Sequence, residues 1–474
     1  MSNSGELKGG VMRRWLPAAL DYIPRWIEFQ MRQSETPGCV MAIAAKGEIV
    51  LEQAFGVADL GTGEKLTPRH RFRVASHSKS FTAAGIMKLR EQGRLELDDA
   101  VGRYVEKLHP AIAEATIAQL LSHSAGLVRD GADAGQWQDR RPFLSKKELR
   151  AALAEAPTVP PNTRFKYSNH GFGLAGLVIE AVTGERYRDW IRREIVEASG
   201  LHETEPDMPI AADAPMARGH GAKLPLGHRL VIPGDNPTHA LAAATGFVST
   251  AADLARFFGQ LDPDAKQSTL SVAGRREMTR QHWQDAYSTV ERHYGLGIMC
   301  GTTGDLDWFG HGGAFQGFIS RTVVVPQHGL TVSIVTNTVD RLAEQWSDGV
   351  LHILSAFGRR GAPEKHLRDW TGRWWYLWSS LDLVPMGERV MVLNPALMNP
   401  LTDASEVEVT GADAGRIALA TGLGNHGEPV RRHRSKNGAV EEVWLGGTRL
   451  LPEAAIAAEL EARYGKPAPA RARR

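Results

Sequence analysis

The chain has 474 residues, 42% of them hydrophobic and 23% charged, a composition ordinary for a soluble globular enzyme that excludes disorder as the default. This length exceeds what one hydrophobic core usually serves, so two or three structural units are expected. Lys and Arg number 56 against 54 Asp and Glu, a formal charge of +2, which gives no electrostatic reason to expect nucleic acid or an anionic membrane as a partner.

The basic ending Arg471-Ala472-Arg473-Arg474 reads as a solvated tail. Only Cys39 and Cys300 occur, too few for a disulfide framework or a structural zinc site and consistent with a reducing compartment. The start, Met1-Ser2-Asn3-Ser4, lacks a basic region followed by an apolar core, and no run of 18 apolar residues occurs, so neither export nor a spanning helix is expected. The expected location is the cytoplasm.

Residues 12–34, with Leu16, Leu20, Ile23, Trp26, Ile27 and Met31, read as an amphipathic first helix ended by Pro37-Gly38. Cys39–Ala45 and Ile49–Gly56 read as two strands joined by a tight turn at Lys46-Gly47-Glu48, opening an antiparallel sheet. Phe72–Ala75 is a short extended lead into Ser76-His77-Ser78-Lys79. From there Phe81, Ile86, Met87 and Leu89 fall among small residues, the pattern of a mostly buried helix entered at Ser76. A spacing of three puts Ser76 and Lys79 one turn apart, a nucleophile beside its candidate base. Lysine can serve so only if burial lowers its pKa. The bland alternative is a capping serine followed by a surface lysine.

From Gly93 to about Ala243 the signal is mostly helical, a lobe inserted between the strands of an α/β domain. Thr116–Leu127 reads as a short helix closed by a glycine, with His123 in a structural hydrogen bond. Tyr167-Ser168-Asn169 lies on a turn before a buried helix. Both outer side chains can point into one cavity, against the simpler reading that Tyr167 packs and Asn169 caps. Thr250-Ala251-Ala252-Asp253 is a helix start with no chemistry assigned. The sheet resumes at Tyr294–Cys300 and Asp307–Phe309 and leads into the strand at His311-Gly312-Gly313-Ala314, whose glycines let another backbone, or a substrate's, approach closely. Leu330–Asn337 is the next strand, and Arg341–Phe357 the closing helix.

A linker is expected around 358–365. Beyond it lie a cluster of Trp370, Trp374, Trp375, Tyr376 and Trp378, strand-like runs at Val390–Leu393, Val407–Val409, Ile417–Ala420 and Val443–Leu445, and a final helix at Pro452–Tyr464. The tryptophans serve either as a ligand shelf or, more commonly for such clusters, as core. The division expected is a catalytic domain over 1–360, with its helical lobe at about 93–243, and a small β-rich domain over 361–474.

Ser76-x-x-Lys79, Tyr167-x-Asn169 and His311-x-Gly313, in this order, resemble the serine β-lactamase and penicillin-binding-protein-like superfamily, particularly its class C β-lactamase, esterase and D-aminopeptidase branch. The phrases Leu120–Leu127 and Gly246–Thr250 look similar too, and the resemblance covers roughly residues 20–357. It implies an α/β (α+β) fold, an antiparallel sheet flanked by helices with the inserted lobe. It makes Ser76 the acylated nucleophile, Lys79 its deprotonating partner and Tyr167 the proton shuttle. Asn169 would hold the lysine or the substrate's acyl side, the N–H groups of Ser76 and Ala314 the oxyanion, and His311, Gly312 and Gly313 would face substrate. Where β-lactamases of the superfamily have a carboxylate-binding lysine this chain has His311, only partly charged near neutral pH, so classical β-lactam hydrolysis is disfavoured and the amidase and aminopeptidase members are the better match. The C-terminal domain loosely resembles the lipocalin-like additions of some such hydrolases.

The expected activity is therefore metal-independent hydrolysis of small amides or peptides. A carboxylesterase or lactonase on the same machinery is the alternative, and a silent binding protein a third, disfavoured by the presence of Ser76, Lys79 and Tyr167. No cofactor is expected: the 17 histidines show no His-Glu-x-x-His pattern.

Overall fold

In the computed structural model, which describes residues 4–289, 291–421 and 424–465, the first hairpin forms where two strand-like runs and a turn dipeptide place it. Gly38–Ala45 and Glu48–Asp59 pair antiparallel across Lys46-Gly47, whose φ values of 52° and 90° are the double positive φ of the tight turn that matches strand twist. The basic ending Arg471–Arg474 lies outside the described residues.

The chain groups into two units, Ser34–Ser347 and the residues up to Gln33 together with those from Asp348 onward. This partition differs from a single break at 360. The first helix, Ser4–Ser34, groups with the C-terminal residues because its partners are there. Phe29 lies against Trp375 at 5.8 Å, Gln30 Nε2 donates to the Pro395 carbonyl at 2.6 Å, and Arg32 pairs with Glu453.

Among the described residues the unit Ser34–Ser347 carries a nine-stranded antiparallel sheet. At its middle Gly38–Ala45 pairs with Leu330–Thr336, which pairs with Phe318–Val325, which pairs with Leu306–Phe315. Leu330–Thr336 and Phe318–Val325 are buried at every position, so both faces of these strands are covered, and polar members such as Thr322 and Ser333 hydrogen-bond to each other inside the sheet. Helix Ser78–Glu91 is buried along almost its whole length. Its Phe81 stacks between Phe247 at 4.3 Å and Phe257 at 3.8 Å, a ring burial of about 1.5–3 kcal/mol.

The inserted lobe contains helices Ile117–Leu121, Lys146–Leu153, Asn169–Thr183 and Tyr187–Ile191. It also contains a small hairpin, Gly219–His220 with Val231–Ile232, too short for the sequence pattern to signal. Helix Ile117–Leu121 ends before the expected glycine. His123, with φ of 58°, takes the left-handed position that glycine usually fills after a helix.

The other unit has an eight-stranded antiparallel sheet from Gly372–Tyr376 to Thr448–Leu450. The paired backbone bonds between Trp375 and Leu451, 2.7 and 2.8 Å, bring its ends together into a nearly closed barrel. The tryptophans divide by position: Trp370, at the end of the helical turn Lys365–Trp370, and Trp374, on strand Gly372–Tyr376, lie in the barrel core, whereas Trp378, 83% exposed, sits on a turn. Arg432 lies 4.1 Å over the Trp370 ring and donates to the Asp369 carbonyl at 2.6 Å, so this buried cation is both stacked and paired.

Trp370→Ala should destabilise this unit by about 3–5 kcal/mol. Denaturant unfolding followed by tryptophan fluorescence checks it, and an unchanged midpoint would refute the core role.

Candidate active site

Ser76 lies in the one-turn helix Ala75–His77 that runs directly into Ser78–Glu91. Ala75 has φ of 45°, a left-handed conformation costing about 1 kcal/mol or more in a non-glycine residue. Its surroundings over-determine it. Val74 N–H donates to Phe247 O at 3.0 Å; the Ser78 hydroxyl donates to Ala75 O at 2.5 Å and accepts from Phe247 N–H at 3.0 Å. His77 Nδ1 meets Val74 O at 2.9 Å and its Nε2 meets Thr322 Oγ1 at 3.1 Å. A carbonyl only accepts, so Nδ1 carries the proton and Nε2 accepts. Burial pushes the His77 pKa down to about 3, so the ring is a neutral strut.

The third motif meets this turn from the sheet. A Cβ on Gly313 would lie 2.1 Å from Val74 O, so the glycine admits the backbone that leads into Ser76. Gly312 is not crowded in this way, its nearest neighbour being Ser320 O at 3.5 Å. Only alternate pairs of an antiparallel ladder exchange backbone bonds. With Phe315↔Phe318 closing the hairpin, Ala314↔Ile319 is the unbonded pair, and Ala314 N–H turns away from that strand. On the strand's other side pairing stops at Gly310, so the edge is open at Ala314, which is exposed.

Lys79 is fully buried. Its Nζ lies 3.1 Å from Ser76 Oγ, 2.7 Å from Asn169 Oδ1 and 2.8 Å from Ala244 O. Burial holds its pKa well below that of a free lysine, with Asp130 opposing this and Arg129 adding to it. From the other side Tyr167 Oη donates to Ser76 Oγ at 2.9 Å. Burial pushes the Tyr167 pKa up to about 12, so it is a phenol at neutral pH. Ser76, Lys79, Tyr167 and Asn169 thus converge on one point, as their spacing and order suggest.

The cap of helix Asn169–Thr183 is Ser168, whose Oγ accepts from Gly171 N–H at 2.9 Å. Asn169 is therefore released from capping and bridges Lys79 to Asp130, its Nδ2 donating to Asp130 Oδ1 at 2.6 Å. Asp130 is a member that sequence reasoning missed: it lies in a loop with no periodicity, and only its nearness to the Leu120–Leu127 phrase hinted at it. His123 brackets Tyr167, its carbonyl accepting from Lys166 N–H at 2.6 Å and its Nδ1 from Ser168 N–H at 3.1 Å, with the two rings 4.1 Å apart. Its expected structural hydrogen bond thus serves the site.

His311 departs from direct contact with substrate. Its ring is buried, Nδ1 donates to Gly312 O at 2.7 Å and Nε2 accepts from Tyr294 Oη at 2.9 Å. Burial, then Lys79 and His77, hold its pKa well below the usual value, so it is a neutral ring with both nitrogens hydrogen-bonded and no charge for a carboxylate. Among the described residues no group of three or more His, Cys, Asp or Glu is placed to hold a metal, and no helix is long and apolar enough to cross a membrane.

The Beta-lactamase family model matches residues 23–354. Penicillin-binding protein 4 of Amycolatopsis lactamdurans is 28% identical over 317 residues, 64% of this chain and 82% of that one. Among solved structures, the octameric penicillin-binding protein homologue from Pyrococcus abyssi superposes with a TM-score of 0.64 at 22% identity, covering 91% of this chain and 99% of that one. A D-stereospecific amidohydrolase from Streptomyces sp. superposes with a TM-score of 0.57 at 25% identity, covering 69% and 96%.

Two tests follow from this geometry. His123→Ala should lower turnover by roughly tenfold or more, and His123→Asn, which keeps an acceptor near Nδ1 and tolerates positive φ, should recover part of it; steady-state kinetics that do not separate the variants would refute the bracketing. His77, with a pKa of about 3 when folded against 6.5 ordinarily, binds a proton more readily when unfolded, so its stabilisation is complete above pH ~6.5 and is lost as pH falls towards ~3, by up to about 1.4 kcal/mol per unit. Denaturation midpoints at pH 7.5 and 5 check this, a flat response counting against it.

Proposed function

The chain belongs to the Beta-lactamase family, within the serine β-lactamase and penicillin-binding-protein-like superfamily, and on that footing we propose that it hydrolyses amide or peptide bonds of small substrates through an acyl-enzyme on Ser76. The observation that carries the reading is Ser76 Oγ set between Lys79 Nζ at 3.1 Å and Tyr167 Oη at 2.9 Å. A neutral lysine amine has two N–H donors and one lone pair. Asn169 Oδ1 and Ala244 O, at 2.7 and 2.8 Å, can only accept and so take the two N–H groups. The lone pair is left for the Ser76 hydroxyl.

Lys79 takes the hydroxyl proton as Ser76 Oγ adds to the substrate carbonyl, and the oxyanion sits against the N–H groups of Ser76 and Ala314. Donors fixed in this way are commonly worth about 3–4 kcal/mol each. Tyr167 gives its proton to the leaving nitrogen as the C–N bond breaks and regains one from the Lys79 ammonium. Water then attacks the acyl-enzyme, its proton passing to the same pair, and Ser76 is released protonated. The uncharged His311 supports substrates without an anchoring carboxylate, and the similarity to an amidohydrolase supports amide over β-lactam. Two buried free thiols, Cys39 and Cys300, support a reducing, cytoplasmic setting.

Intact mass after incubation with a fluorophosphonate should show one adduct, on Ser76. Assayed against aminoacyl amides, short esters and a penicillin, the protein should turn over amides; turnover of esters alone would overturn the amide reading in favour of an esterase. Ser76→Ala should abolish adduct and turnover, and Tyr167→Phe should lower turnover by about 10²–10⁴-fold; full activity in either removes that residue's role. Because Lys79 must be neutral and burial lowers its pKa, kcat/KM should rise with pH to a plateau well below pH ~10.4, the range of a free lysine. A rate still climbing there would show an unburied base.

A further inference from the structure

Lys79 can act as a base only if its lone pair has a single place to go, and that depends on which end of the Asn169 amide faces it. The carboxamide is nearly symmetric in shape and opposite in hydrogen-bond sense at its two ends. Turned over, it would aim an N–H donor at the lysine lone pair in competition with the Ser76 hydroxyl. Nothing in Asn169 itself chooses between the two orientations.

Resting on the reading above, we propose that Asp130 is the positioning residue that makes this choice: its carboxylate holds the Asn169 nitrogen outward and so keeps the oxygen on Lys79. An ionised carboxylate has no donor, so only Nδ2 can face it, as it does at 2.6 Å. Asp130 is itself fixed from three directions. Its Oδ1 also accepts from Trp137 Nε1 at 2.9 Å, its Oδ2 pairs with Arg129 Nε at 3.0 Å, and Arg129 O accepts from Asn169 N–H at 3.0 Å, tying the loop to the helix start. Its side chain is 11% exposed, dry enough for these bonds to be strong.

Asp130 also bears on Lys79 by charge. It favours the ammonium, whereas Arg129 opposes it; His123 and His311, the other titratable rings whose charged forms Lys79 disfavours, are held neutral by burial, and Tyr167 is a phenol. Removing the carboxylate therefore lowers the pH at which Lys79 becomes neutral. Orientation and charge are thus separable: alanine loses both, whereas Asp130→Asn loses the charge but keeps an oxygen that Trp137 and Asn169 can both use, with the exposed Arg129 side chain free to swing clear of the new amide.

The test is the second-order rate of fluorophosphonate labelling at Ser76 against pH, with the adduct located by peptide mass and folding checked by circular dichroism. This readout needs no knowledge of the substrate. Asp130→Ala should label roughly tenfold to a hundredfold more slowly than the wild type at the plateau, Asp130→Asn should recover most of that loss, and the acid limb should move to lower pH in both. A wild type that takes no label would remove the catalytic reading and this assignment with it. A wild type that labels, beside a folded Asp130→Ala as fast as the wild type or a folded Asp130→Asn as slow as Asp130→Ala, would overturn the positioning role of Asp130 alone, and an acid limb that does not move in Asp130→Asn would overturn its effect through charge. If Asp130→Ala does not fold, Asp130→Leu, close to aspartate in shape but with no acceptor for Asn169 Nδ2, takes its place in the plateau comparison.

Discussion

The structure of the candidate site depends on one constraint, the burial of the Lys79 amine without solvent. An ammonium ion taken out of water loses hydration worth several kcal/mol or more unless the protein replaces it. Three acceptors, the Ser76 hydroxyl, the Asn169 amide oxygen and the Ala244 carbonyl, replace enough of it to keep the group inside the protein. They do so without a carboxylate in direct contact, so the amine is stabilised but not locked in its charged form. Burial and incomplete charge compensation together turn an ordinary lysine into a group that can accept a proton.

That arrangement needs partners from distant parts of the chain to meet within hydrogen-bond reach. Ser76 and Lys79 come together by one helical turn. Tyr167 and Asn169 come from the start of the lobe helix Asn169–Thr183, and Ala244 from the short helical turn Ala242–Gly246. Each approach relies on a local device. The strained Ala75 is braced by Phe247, Ser78 and the neutral His77, Gly313 lets the sheet reach the nucleophile turn, and Ser168 takes over the capping duty that would otherwise occupy Asn169. The backbone strain at Ala75 persists because the packing around it leaves no relaxed alternative.

Family membership and site chemistry agree on a serine hydrolase, and the third motif opens with a histidine in this chain. A lysine in place of His311 would bring a cation to that strand. Here the imidazole is enclosed, bonded at both nitrogens to Gly312 O and Tyr294, and adds order rather than charge. Under the proposed amide hydrolysis, recognition on that side rests on backbone donors and shape rather than on charge.

Much of this was legible in the sequence alone. The Ser76–Lys79 pair follows from helical spacing, the opening hairpin from two strand-like runs joined by a tight turn at Lys46-Gly47, and the order of the three motifs carried the superfamily and its α/β fold, because these are local patterns whose geometry repeats wherever they occur. What only the tertiary structure decided lies across long separations. The membership of Asp130 in the site, the tautomers of His77 and His311, the close approach of Val74 to Gly313, and the grouping of the first helix with the C-terminal barrel all depend on which groups are brought together and which are removed from water. Spacing along a chain determines which side chains share a turn, whereas hydrogen-bond partners, burial and therefore pKa arise only once distant segments are in contact.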